Sequence, residues 1–245
     1  MSIISNPTII TKEVLVTLLD ASTKPVIFWD TCSLLDIIRL PAPKREHPVR
    51  KLEQAMAITQ KIVSGDIISL ASELTVGEFN HHVGHTQNEV VAAAKEISQL
   101  YNKYMEFVRR ANPAITMPSV DLQAYNLEIL LSGLVQDIVV QTKFIQRDDY
   151  FLNSAEDRLL KKIPPAKKKA EFKDCYIWLT CLTVRQMSKK TSKPFGFLSS
   201  NVKDYSKAPS KQFDPYLAAE ATAADIIYYA DIDIAHGILT REGIF

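Results

Sequence analysis

"VIFWDTCSLL", residues 26–35, is a run of bulky apolar side chains that ends on Asp30 and passes through small hydroxyl and thiol groups before leucines resume. A run this short and this apolar reads as a strand buried on both faces of a parallel sheet. "SLLDIIRL", 33–40, then takes helical spacing and is stopped by "PAPKREHP", 41–48. In open parallel sheets ligands bind beyond the carboxyl ends of the strands. Asp30 closes the first strand of this pattern, so it is expected at that edge.

Working outward, the spacing predicts a helix over 49–63, with Leu52, Ala55, Met56, Thr59 and Ile62 or Val63 on one stripe. "IISLASEL", 67–74, is a second buried strand, and Thr75 is expected to cap a long helix that carries Glu78. The order β, α, α, β, α argues for an α/β protein with a parallel sheet. Residues 86–160 differ in character. "NEVVAAAKEISQLYNKYMEFVRRA" and "LQAYNLEILLSGLVQDIVVQTKFIQ" read as long helices broken by "NPAITMPS", with no strand signal between them. They are expected to form a helical insertion packed on the sheet, within one domain spanning 1–245. Beyond it, "DCYIWLTCLTVRQMSKK" is a helix starting at or just before Asp174, and "PFGFLSSNVKDY" is a strand ending in polar residues. "PYLAAEATAADIIYYADIDIAHGIL" supplies a helix, a short strand at "IIYY" and a terminal helix.

Composition limits the classes available. At 245 residues with 47% hydrophobic content, the chain can bury a full core. A net charge of +1 excludes a strongly basic nucleic-acid coat protein. No apolar stretch reaches the roughly 18 residues of a membrane span, and the N-terminus lacks the basic-then-apolar pattern of a leader, so a soluble cytoplasmic protein is expected. Cys32, Cys175 and Cys181 form no CxxC pair, and reduced, mostly buried thiols are the expectation.

Chemistry is carried by acids. Asp30 ends the first strand, Glu78 lies about one turn into the helix after the second, Asp174 starts the helix after the lysine loop, and Asp204 follows the strand "FGFLSS". All four are expected at one end of one sheet. Crowded like charges raise each other's pKa values, so either the acids face apart into water or a positive partner joins them. Oxygen-only ligands suit hard divalent cations, Mg²⁺ or Mn²⁺, which also take phosphate oxygens, and the pocket reads as a phosphodiester cleavage site. Just before Asp174, "KKIPPAKKKAEFK", 161–173, sets six lysines against one glutamate. By itself such a run is usually a solvated loop.

At these residues the sequence resembles the PIN domain, the nuclease fold of many toxin–antitoxin ribonucleases and RNA-processing factors. "VIFWDTCSLLDIIRL" is similar to the family's opening strand and leucine-rich helix, "ISLASELTVGEF" to its second acidic block, "KDCYIWLTCL" to its third, and "FLSSNVKDY" to its Thr-x-Asn-x-x-Asp-Phe ending. The resemblance covers roughly 25–85 and 155–235 and is strongest to members with a helical insertion. It implies a three-layer α/β/α sandwich and a metal-dependent endoribonuclease, with Asp30, Glu78, Asp174 and Asp204 holding Mg²⁺ or Mn²⁺ directly or through water. It also implies Thr31, Ser200 and Asn201 as orienting groups, and Lys161, Lys162, Lys167, Lys168 and Lys169 as contacts to the phosphates of single-stranded RNA. An antitoxin or a second copy of the chain would be a further partner. The sequence departs from the pattern at Asn201, where some relatives carry an acid, leaving Asp204 as the carboxylate of that block. The alternative is a PIN-like module that binds RNA or protein without cleaving it.

Simpler roles are open to the same residues. Asp30 can cap the helix beginning near Ser33, Glu78 can complement a helix dipole, Asp174 can be an N-cap, and Asp204 can form a turn. Asp36, inside the first helix, reads as a structural hydrogen-bonder. "EFNHHVGH", 78–85, puts Glu78, His82 and His85 on one helical face, a candidate Zn²⁺ trio, but it lacks the HExxH arrangement and a distant fourth ligand. A haloacid-dehalogenase reading fails because position 32 is cysteine where a second aspartate is needed. A cysteine-phosphatase reading fails because six residues, not five, separate Cys32 from Arg39.

Overall fold

The computed structural model describes residues 4–42, 47–166, 171–188, 194–206 and 212–245. Its centre is a six-stranded, all-parallel sheet. The strands are β1 (Thr8–Ile10), β2 (Val26–Trp29), β3 (Ile68–Ser72), β4 (Lys143–Ile145), β5 (Phe195–Leu198) and β6 (Ile227–Tyr229), in the order β1-β4-β3-β2-β5-β6.

Strand β2 shows why the opening run has no polar alternation. Ile27 and Trp29 enter one core and Val26 and Phe28 the other, so every residue of the strand is buried. Over the Ile27 face lie α2 (Thr31–Ile38), α3 (Pro48–Val63), α4 (Glu73–Ala111), α5 (Leu127–Gln141) and α10 (Ile232–Arg241). Over the Phe28 face lie α1 (Lys12–Asp20), α6 (Asp149–Leu160), α7 (Phe172–Met187) and α9 (Pro215–Ala223), with the short α8 (Val202–Tyr205) beside them. The fold is a three-layer α/β/α sandwich, as expected. The three cysteines form no disulfide, and Cys175 and Cys181 are buried. Among the described residues no helix is long and apolar enough to cross a membrane.

From β2 the chain crosses to β3 on one side, whereas β5 pairs with β2 on the other. The carboxyl ends of β2 and β5 therefore flank a topological switch point, where a parallel sheet opens a crevice. Gly196 keeps β5 close to the strand beyond it: a Cβ there would lie 1.8 Å from Tyr229 Cε2.

Several expectations need correction. Helix α4 is capped by Ser72, whose hydroxyl accepts from Leu74 N, rather than by Thr75, which is buried one turn inside. Helix α2 starts at Thr31, not near Ser33. On α3 the buried stripe is Ala55, Ile58, Thr59 and Ile62, while Met56 and Val63 are 54% and 52% exposed. Residues 86–160 are not wholly helical: they carry β4, which fills the gap between β1 and β3. Strands β1 and β4 span three residues each, too short to show a period, and "KFI" follows α5 with no glycine or proline to mark the change.

Candidate active site

The first acid is held by the junction that makes it. Asp30 N donates to Leu198 O at 3.0 Å, extending the β2–β5 ladder one residue past the strand. The side chain then turns under the start of α2. Its Oδ1 accepts from Thr31 N at 2.8 Å, and its Oδ2 accepts from Ser199 Oγ at 2.6 Å. Asp30 is thus an N-cap, and it is also 1% exposed. Burial pushes its carboxyl up to about 7 against the pull of the Ser199 hydrogen bond, and the charge of Glu78 adds to the rise.

Asp174 lies in the first turn of α7 rather than at its cap, which is Glu171. It is 7% exposed, and among the described residues its Oδ2 is buried without a hydrogen-bond partner. Burial, then repulsion from Asp30, Asp204, Glu171 and Glu78, pushes its carboxyl up to about 8. The Tyr205 hydroxyl, buried beneath, donates to the Asp174 backbone carbonyl at 3.0 Å and ties α8 to α7.

Glu78 and Asp204 stand further out. Glu78 is in the second turn of α4 with its side chain 20% exposed. Its Oε2 accepts from Thr31 Oγ1 at 2.7 Å, and its Oε1 lies 3.9 Å from Lys173 Nζ. Asp204 is half-buried in α8 and acts on the site through its repulsion of Asp174.

The orienting groups divide. Thr31 Oγ1 donates to Glu78, and the hydroxyl that reaches Asp30 from the end of β5 is Ser199. Ser200 and Asn201 contribute backbone N–H groups, to Ser33 Oγ at 3.0 Å and to Ser199 Oγ at 3.2 Å. Ser199 occupies the first position of the Thr-x-Asn-x-x-Asp pattern, which is its sequence signal; its bond to Asp30 depends on Trp29 pairing with Leu198.

Other candidates separate from the site. His82 and His85 are exposed, and His85 Nδ1 lies 3.5 Å from Glu89 Oε1, not on Glu78. Burial, then the charges of Asp30, Glu78 and Asp174, push the Cys32 thiol far up, which disfavours the thiolate a cysteine nucleophile needs. Asp36 lies 3.7 Å from Arg39. Lys161 is exposed at the end of α6 and pairs with Asp157 at 2.7 Å. Lys162 is exposed beside it, and Lys167, Lys168 and Lys169 lie outside the described residues. The stretch before them is anchored by buried Arg158, which donates to Pro164 O and, through two nitrogens, to Glu220 at 2.9 and 2.7 Å.

The donor set suits a divalent cation. It is all oxygen, its two inner acids repel each other, and Oδ2 of Asp174 is a buried acceptor with no partner among the described residues. Among the described residues no three His, Cys, Asp or Glu side chains are drawn together into a closed ion cage. The four carboxylates act on one another electrostatically without making a ready-built cation site.

A PIN-domain family model matches residues 27–205, from β2 through α8, and takes in all four acids. The chain belongs to the PIN-domain family, a family of nucleases. No curated protein and no solved structure matches it.

Proposed function

We propose that the protein is a Mg²⁺- or Mn²⁺-dependent endoribonuclease acting on single-stranded RNA. The observation that supports this is the pair Asp30 and Asp174, both buried and electrostatically coupled, with Asp174 Oδ2 unpartnered among the described residues. Asp30 and Asp174 would hold the cation, with Glu78 and Asp204 reaching it through water. A bound divalent cation supplies the compensating charge, polarises the phosphoryl oxygen and makes a water acidic enough to attack phosphorus. Ser199 holds Asp30 and Thr31 holds Glu78 in place. The exposed lysines near the end of α6 would engage phosphates without reading sequence. A role as the toxin of a toxin–antitoxin pair rests on the family resemblance alone.

If water attacks in line, the 2′-hydroxyl takes no part. Products should carry a 5′-phosphate and a 3′-hydroxyl, and chelator should stop the reaction. Mass spectrometry of the cleaved ends tests this; a 2′,3′-cyclic phosphate formed in the presence of EDTA would overturn it.

The second reading, a PIN module that binds without cleaving, draws on the Lys173–Glu78 approach, by which a side chain of the protein itself supplies positive charge to the site. Under that reading Mn²⁺ leaves the melting temperature unchanged, and RNA binds but is not cut.

A further inference from the structure

A basic side chain stands at the acids themselves, apart from the lysines at the end of α6. Lys173 precedes Asp174 in the first turn of α7, and its Nζ lies 3.9 Å from Glu78 Oε1. The other oxygen of Glu78 accepts from the Thr31 hydroxyl at 2.7 Å. Glu78 is close enough to Asp30 and Asp174 for its charge to push up both of their pKa values. The ammonium is therefore carried at the rim of the acid cluster, by a carboxylate that is itself held through its second oxygen.

This pairing leaves the ammonium free to act. Lys12 and Lys161 close on Asp148 and Asp157 at 2.6 and 2.7 Å, whereas Lys173 and Glu78 approach without a hydrogen bond between them. The Lys173 side chain is 53% exposed, and an ion pair so open to water contributes little to stability. A structural salt bridge is the weaker account of it. A compact ammonium with three donors on a flexible stem is suited instead to a phosphate oxygen. The acids create the need for one: a phosphate brought to Asp30 and Asp174 meets four carboxylates, and in-line displacement spreads negative charge over the oxygens of the phosphorus under attack.

We propose, resting on the nuclease reading, that Lys173 is a catalytic residue whose ammonium donates to a non-bridging oxygen of the phosphate being cleaved, and that Glu78 positions it there. Lys161 and Lys162 differ in kind, since they stand at the end of α6 and would hold RNA without touching the reacting group.

Lys173→Met keeps the apolar stem and removes the charge. Steady-state cleavage of a single-stranded RNA oligomer in Mn²⁺ should show kcat reduced on the order of ten- to hundredfold, the worth of one hydrogen bond to a charged group. Lys173→Arg should recover most of the loss. Melting temperature followed against Mn²⁺ alone should show the Lys173→Met protein binding the ion at least as tightly as wild type, because a positive charge beside the acids has gone. In a Glu78→Gln background, where the amine is no longer positioned, Lys173→Met should cost less than it does in wild type. Unchanged kcat in a wild type that cleaves would overturn this assignment and leave the nuclease reading standing. A loss confined to KM would put the amine on a flanking phosphate and overturn it too, and a fall in Mn²⁺ affinity together with cleavage would reduce Lys173 to a structural role. A wild type without metal-dependent cleavage would overturn the nuclease reading and this assignment with it.

Discussion

Asp30 and Asp174 share one sheet edge with Glu78 and Asp204, yet the two pairs live in different surroundings. The inner pair is almost fully enclosed, and burial is the largest cause of its raised pKa values. The outer pair is only partly buried: Glu78 leans on Thr31 and Lys173, and Asp204 sits on a single turn of helix. At the centre of the site the charge of a carboxylate is therefore a liability to folding. An inner acid that costs stability in isolation is one whose cost a positive ligand can remove.

The largest test of that contrast is Asp30→Asn or Asp174→Asn. Cleavage should fall to background. In chelator, stability should move the other way. The folded-state pKa values, about 7 and about 8, lie above the ordinary aspartate value of 3.8, so the folded protein holds these protons more tightly than the unfolded chain. Below about pH 4 both states are protonated and the burden vanishes. It grows as pH rises toward 7 and 8 and is constant above, with a slope of at most about 1.4 kcal/mol per pH unit for each group. Wild type should thus lose stability between pH 4 and pH 8, and either variant should be more stable at pH 8 with a shallower slope. Denaturant melts across that range provide the check, and parallel profiles would contradict the burial account. Mn²⁺ at a hundredfold above its Kd should add about 2.7 kcal/mol to wild type and little to the variants.

A smaller effect is expected at Ser199. Its 2.6 Å hydrogen bond opposes the burial of Asp30, so Ser199→Ala should raise that pKa above about 7 and weaken Mn²⁺ binding about tenfold or more. The acid limb of the cleavage profile should move to higher pH, and Ser199→Thr should bring it back. An unmoved limb would mean that the hydroxyl does not tune Asp30.

Smaller again are the outer acids. Glu78→Gln and Asp204→Asn should change stability in chelator by less than about 1 kcal/mol and reduce cleavage less than the inner substitutions do. Equal loss at Asp204 and Asp174 would erase the distinction between the pairs. Least of all, replacing Lys161 and Lys162 with alanine should leave turnover at saturating RNA unchanged. It should flatten the salt dependence of binding by about 0.7 in slope for each phosphate that the lysines no longer neutralise.

The site is legible where its signals are local. Asp30 follows a fully apolar strand, Asp174 opens a helix, and Thr31 stands one residue from Asp30; each can be read within ten residues of chain. Ser199 escapes such a reading, which favours Ser200 and Asn201, because its partner is 169 residues away and only the β2–β5 register joins them. Local reading prefers Thr75 to Ser72 as the α4 cap for a related reason: nothing nearby in the chain tells the last residue of a buried strand from the first turn of the helix that follows it.

By itself the sequence determined the class of the fold and the order of its acid-bearing blocks, since apolar runs, helical periods and strand-end acids are written within short windows. Tertiary structure decided what windows cannot hold. Strands of three residues exist as β1 and β4 because neighbouring strands supply their hydrogen bonds. Met56 is exposed and Ile58 buried because of how α3 rotates against α5 and the sheet. Asp30 and Asp174 are the enclosed pair because helices and strands distant in sequence close over them, and burial depends on those neighbours rather than on residue type.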